Sequence, residues 1–199
     1  MVTSGLIAEW IVMSLGGNSK AVGAIPVGLA LGLMIFSHHE RGETPRSLGF
    51  RFDNFWPALR LLLLPTMVAG AVVVLGSWWM RGSEFALAPL RWRFLTLPLW
   101  ALFQQYALQG FINARAQLHF GKGPKSILLV GAAFSLLHFP NPILMLLTLL
   151  GGVLWAIVYQ RVPNLYAPAL SHALASFLLT LSVSPQLGHG LRVGLKYFL

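Results

Sequence analysis

Cysteine is absent from the 199 residues, which excludes disulfides and thiolate chemistry and leaves the compartment open. Charge is scarce as well. Asp, Glu, Lys and Arg make up 10% of the chain against 56% hydrophobic residues, where a soluble domain carries about 25% charged residues. So little polar surface cannot cover a water-soluble globule of this size, whereas lipid accepts an apolar exterior. Acids are scarcest: the five are Glu9, Glu40, Glu43, Asp53 and Glu84, all outside the long apolar runs. The net charge of +9 would suggest nucleic acid on a soluble protein. Here the basic residues stand singly between apolar runs (Arg81, Arg91, Arg93, Arg115, Lys122, Lys125), where they meet lipid headgroups, and no nucleic-acid partner is expected. A basic leader is lacking too, since residues 1–19 carry Glu9 and no Lys or Arg; targeting is expected from the spans themselves. No internal repeat is visible, so a symmetric transporter is not supported.

What is present is a series of apolar runs. A bilayer-crossing helix needs about 20 predominantly apolar residues, and Ala21–Ser37, Trp56–Met80, Phe94–Asn113, Ser126–Phe139, Pro142–Tyr159 and Leu165–Ser182 approach or meet that length. The expected fold class is therefore all-α, a polytopic transmembrane helical bundle of about six spans. Three regions follow: an N-terminal interfacial segment (1–20, with Leu6–Leu15 apolar but too short to cross), a transmembrane domain (21–182) and a C-terminal surface tail (183–199). His38 to Asn54 reads as the longest polar loop, and 114–125 as another. Loop charges divide almost evenly, with a small excess on the side of 38–55 that leans toward the cytoplasm. Trp56, Trp78, Trp79, Trp92 and Trp100 lie near span ends, as in an interfacial belt, and Gly151 and Gly152 suit close helix packing.

Polar side chains inside such runs are costly unless paired, so they face the bundle interior. The third run holds Gln104, Gln105, Gln109 and Asn113. At about 100° per residue the last three share an arc of about 80°, with Gln104 set to one side. The fourth run carries Phe134, Ser135 and His138; in the sixth, His172, Ser176 and Thr180 are spaced by four on one face. Two histidines on separate helices are the chemically notable feature, because imidazole moves readily between donor, acceptor and metal ligand. Packing by hydrogen-bonded histidines and interhelical amide contacts is the competing reading. His38, His39, His119 and His189 fall in loops or the tail and are expected to be solvated.

The order of these residues resembles the CAAX protease and bacteriocin-processing (CPBP) family of intramembrane proteases, marked by E-E-x-x-x-R, F-x-x-x-H and H-x-x-x-N on successive site helices. Gln104-Gln105-x-x-x-Gln109, followed by Gly110-Phe111, stands at the first motif, Phe134-x-x-x-His138 at the second and His172-x-x-x-Ser176 at the third, with one helix between the last two. Ser47-Leu48-Gly49-Phe50 also looks like the family's lead-in. The resemblance spans Arg46 to Ser182. It implies a helical bundle around a water-accessible cavity, in which a glutamate and histidines activate water against a peptide bond. The implied catalytic positions are Gln104, Gln105, His138 and His172, with Gln109, Phe134, Ser176 and Asn113 as substrate-binding or supporting residues. The implied partners are membrane lipids and a prenylated or otherwise hydrophobic membrane-associated peptide, and the expected location is the plasma membrane of a prokaryotic cell.

The departure matters as much. Both motif glutamates are glutamine here and the arginine is Gln109; a carboxamide has no basic site in the accessible pH range, and general-base catalysis is worth about 10²- to 10⁴-fold. Three neutral amides keep hydrogen-bonding capacity and remove formal charge, which suggests an intact fold with altered or absent hydrolysis. No cofactor is expected. Zinc stays open only through His138 and His172, which are two ligands where a catalytic zinc site normally takes three. The alternatives are a non-catalytic module binding a peptide or lipid, as an immunity or partner protein would, and a small channel or transporter subunit.

Overall fold

The computed structural model describes residues 20–81, 95–183 and 191–198, so the expected interfacial helix at Leu6–Leu15 lies outside the described residues. All six apolar runs are helical. In chain order they are α1 (Lys20–Glu40), α2 (Phe55–Arg81), α3 (Leu97–Gln105), a π-helical stretch (Tyr106–Asn113), α4 (Ala114–Phe120), α5 (Pro124–Leu136), α6 (Pro142–Arg161) and α7 (Tyr166–Ser182), with a 3-10 turn at Gly194–Tyr197. No strand occurs among the described residues.

The helical bundle packs α5 against α6, and α7 against both α2 and α3. Residues 55–80 of α2 and 142–161 of α6 are long and apolar enough to cross a membrane, and only 17% and 33% of their most apolar windows are buried. Leu64, Met67, Val72 and Leu75 of α2 and Leu29, Leu33 and Phe36 of α1 point outward. A belt of this kind on a water-soluble surface marks an interaction or membrane face. Lipid tails are as apolar as leucine, so what holds the helices together is close packing and interhelical hydrogen bonding.

Three of the expected run ends move by three residues or more. The first run, expected to end at Ser37, continues to Glu40 and takes His38 and His39 into α1. The third run was expected to end at Asn113 with a loop over 114–125, yet Tyr106, Asn113 and Ala114 all hold right-handed helical dihedrals and the rod continues to Phe120. Arg115, a good helix former paired with Glu43, lies inside it; Gly121 and Gly123, with φ of 70° and 131°, end it. The fourth run stops at Leu136 instead of Phe139. Proline disfavours helical dihedrals in the residue before it, and Pro140 follows Phe139 directly, which leaves His138 on the turn. Asn141 then opens α6, its Oδ1 accepting the Leu144 backbone N–H at 3.1 Å.

The Leu48-Gly49 lead-in locks the first loop to the bundle. Tyr159 donates its hydroxyl to the Leu48 carbonyl at 2.9 Å and the Leu165 N–H reaches the Gly49 carbonyl at 2.9 Å. Gly49 sits at φ 97°, where a Cβ would lie 3.1 Å from the Tyr159 ring and 3.3 Å from the Asn164 backbone nitrogen. The described part of the C-terminal tail touches the turn before α6: Gly194 N–H donates to the Phe139 carbonyl at 2.9 Å, and Asn141 Nδ2 to the Arg192 carbonyl at 3.1 Å.

Glycine sets the α5–α6 contact, although only one of the two expected residues takes part. A Cβ on Gly152 would lie 3.0 Å from Gly131 Cα, and one on Gly131 would lie 2.6 Å from Val153 Cγ2 and 3.1 Å from the Leu149 carbonyl oxygen; one on Gly151 would meet only the ring of Trp155. Since a backbone carbonyl cannot move aside as a side chain can, Gly131→Leu is expected to lower stability by about 1–3 kcal/mol. Gly76→Leu, where nothing lies within 4 Å of the Cβ position, should leave the unfolding midpoint in detergent nearly unchanged.

Candidate active site

The two histidines come together. His138 and His172 line one cavity of about 240 Å³ between α2, α5, α6 and α7, with Phe134, Trp155, Ser171 and Ser176 among its walls. Phe134, with no exposed surface, meets both imidazoles edge to face, at centroid distances of 4.9 Å to His138 and 5.4 Å to His172. Its place one turn before His138 makes it the spacer between the two rings. His172 also stacks on Trp155 at 4.6 Å with an interplanar angle of 29°.

Hydrogen-bond chemistry fixes the tautomer of each ring. His138 Nδ1 lies 2.9 Å from the Phe134 carbonyl oxygen. A carbonyl only accepts, so Nδ1 carries the proton and Nε2 keeps its lone pair. The carbonyl is one of those left unsatisfied by the end of α5, and the imidazole caps it. His172 Nδ1 lies 3.3 Å from Gln105 Nε2. With the amide nitrogen donating, Nδ1 accepts and Nε2–H is the donor. One ring therefore offers an acceptor and the other a donor to the same cavity.

The glutamines divide in two. Gln105, fully buried, touches His172, while Gln104 is half-buried and makes no hydrogen bond to either histidine among the described residues. Gln109 and Asn113 are fully buried as expected but belong to another network: Asn113 Nδ2 donates to Gln109 Oε1 at 2.8 Å, and Gln160 Nε2 donates to Asn113 Oδ1 and to Ser126 Oγ, each at 2.9 Å. These amides join the π-helical stretch to α5 and α6 and do not line the cavity. Gln105 Oε1 and Gln109 Nε2 are buried without a hydrogen-bond partner among the described residues.

Ser171 was not anticipated. Trp155 Nε1–H donates to Ser171 Oγ at 3.0 Å, and Thr66 Oγ1 lies 2.7 Å from the same oxygen. That pairing pins the indole under His172 and ties α2, α6 and α7 together; its sequence signal was only adjacency to His172. His38 corrects the reading of a solvated loop histidine. It is 4% exposed, with Nδ1 2.5 Å from Glu43 Oε2, and Arg115 grips Glu43 through Nη1 at 2.7 Å and Nη2 at 2.8 Å. Glu43 and Arg115 stand 72 positions apart, which left no local pattern to read.

Arg115 hydrogen bonding, then His38, holds the Glu43 carboxyl well below its ordinary 4.5, at about 2, against a desolvation effect of opposite sign. A depressed carboxylate contributes stability that is full above the unfolded value and is lost as pH falls through the folded one. Unfolding midpoints should therefore fall between about pH 4.5 and 2 more steeply in the native protein than in Glu43→Gln. Equal slopes would show that the carboxylate is not paired in this way.

Among the described residues no group of three or more His, Cys, Asp or Glu side chains is placed to hold a metal. Two imidazoles and a set of amides do not make the three-ligand zinc site of hydrolases. The chemistry on view is that of two histidines facing one cavity in a helical bundle.

A family model matches the part of the chain that carries this site. Residues 86–178 match the family model described as Type II CAAX prenyl endopeptidase Rce1-like, and this stretch holds all three motif positions from Gln104 to Ser176. No curated protein and no solved structure matches the chain.

Proposed function

We propose that this protein is a multi-pass protein of a prokaryotic plasma membrane that holds a hydrophobic, membrane-associated peptide segment in the cavity beside His138 and His172, with hydrolysis reduced to a residual level. The observation that supports this reading is the position of Gln105, a fully buried amide against His172 where the family's motif has an acid. A peptide bond presents one donor and one acceptor. The lone pair on His138 Nε2 suits the amide N–H or a water, and His172 Nε2–H suits the carbonyl.

Residual hydrolysis has His138 as its base. Water loses a proton to His138 Nε2 while its oxygen bonds to the scissile carbonyl carbon; His172 Nε2–H stabilises the developing oxyanion. The proton on His138 then passes to the departing amine as the C–N bond breaks. No carboxylate shares the work, so the rate falls by the contribution of that group, about 10²- to 10⁴-fold.

The test is cleavage of a membrane-peptide library by protein reconstituted in lipid. The expected result is slow cleavage by the native chain, lost in His138→Ala. Cleavage insensitive to that change would remove the proposed base. No cleavage by the native chain, with peptide capture retained, would make the protein a binding module outright, and solute flux through liposomes without peptide binding would favour the channel reading.

A further inference from the structure

Proton counting at the histidine cavity leaves one hydroxyl hydrogen over. Thr66 of α2 and Ser171 of α7 both line that cavity, and their oxygens lie 2.7 Å apart with either able to donate. Trp155 Nε1–H donates to Ser171 Oγ at 3.0 Å. If Thr66 donates to Ser171, the Ser171 oxygen accepts twice and its own O–H is spare; if Ser171 donates, the Thr66 O–H is spare. The result holds in both directions, because a hydroxyl has one hydrogen and two lone pairs and an indole N–H only donates.

Serine and threonine within helices can return such a hydrogen to the carbonyl four residues back. Thr148 does so at 2.6 Å and Thr180 at 2.7 Å, whereas neither Thr66 nor Ser171 has a backbone carbonyl as acceptor among the described residues. Ser171 directly precedes His172, and the indole that holds its oxygen stacks on the His172 ring. The spare donor therefore belongs to the wall that carries His172. The cavity is otherwise lined largely by apolar side chains, Pro65, Val73, Leu147 and Leu154 among them, where a polar hydrogen left without an acceptor is costly.

We infer that the Thr66–Ser171 pair is a carbonyl-binding subsite, its spare O–H donating to a backbone carbonyl of the peptide held beside His138 and His172. The inference rests on the reading of this cavity as a peptide site and adds a second donor to His172 Nε2–H. A donor among apolar walls selects a ligand with an apolar body and an acceptor, and an apolar peptide carries such an acceptor at every residue. With His172 taking one carbonyl and the hydroxyl pair another, the segment is fixed at two points instead of one.

The experiment measures capture of a biotin-tagged hexaleucine amide by the full chain in phosphatidylcholine nanodiscs, beside analogues in which each amide in turn is replaced by a trans-alkene that keeps the shape and removes the carbonyl. Thr66→Val leaves the Ser171 O–H and Ser171→Ala leaves the Thr66 O–H, whereas the double variant has neither. Capture by the double variant should be about tenfold weaker than by either single variant, since one buried hydrogen bond is lost. One alkene analogue should bind the native chain about tenfold more weakly than hexaleucine and show no such penalty in the double variant. A loss in Ser171→Ala as large as in the double variant would assign the effect to the loosened indole and overturn the inference; so would alkene penalties that all persist in the double variant. Equal capture of every analogue by the native chain would overturn it without any variant having to fold. No capture of hexaleucine by the native chain would remove the peptide reading itself, and this subsite with it.

Discussion

Restoring both acids, Gln104→Glu with Gln105→Glu, is expected to raise endopeptidase turnover by about 10²- to 10⁴-fold over the native chain, the range that a positioned general base supplies. Most of the gain should appear in Gln105→Glu alone. Gln105 is the residue in contact with His172 Nδ1; a carboxylate there can only accept, so Nδ1 must carry the proton and Nε2 becomes a lone pair. The pair would then offer two acceptors backed by a charge in place of one acceptor and one donor. Half-buried Gln104 reaches neither histidine among the described residues, and Gln104→Glu alone should change turnover little. Measuring kcat/KM for the three variants on one cleaved peptide decides this. A gain carried by Gln104→Glu alone would move the lost base to that position and remove Gln105 from its role on His172.

The helical architecture was legible because lipid imposes it: a chain this apolar must satisfy its backbone internally, and each of the six runs became a helix. The histidine pair was legible for a related reason. Four-residue spacing kept His172 with Ser176 on α7, and the turn that ends α5 still leaves His138 against Phe134, so all four line one cavity. Relations across the fold were not legible. The α-helical period put Gln105, Gln109 and Asn113 on one stripe, and all three are buried, yet the stripe serves two places because its neighbours change along its length: His172 at one end, Gln160 and Ser126 at the other. The π-helical turns that carry Gln109 and Asn113 leave no mark in hydropathy. The His38–Glu43–Arg115 cluster was invisible because polar side chains in the last turn of a helix and just past it are ordinarily solvated, and only a guanidinium from a distant helix joins this pair.

Gln109→Arg is expected to destabilise the protein by about 3–5 kcal/mol, the cost of an uncompensated buried charge. Gln109 has no exposed surface, and no acid lies on the π-helical stretch or on α3. Combined with Gln105→Glu, four residues earlier on the same rod, most of that loss should be recovered, with a coupling of about 2 kcal/mol or more between the two changes. The basis is the pattern of unfilled atoms. Gln105 Oε1 and Gln109 Nε2 are a buried acceptor and a buried donor without partners among the described residues, and they stand where the family's motif carries an acid and an arginine. Amides keep the shape of that pair without its charge, and each leaves one polar atom unfilled. Unfolding midpoints of the native protein, the two single variants and the double variant, taken in one detergent, close the cycle. Additive losses would mean that positions 105 and 109 do not interact, and that the glutamines serve two unrelated networks with no shared origin as an ion pair.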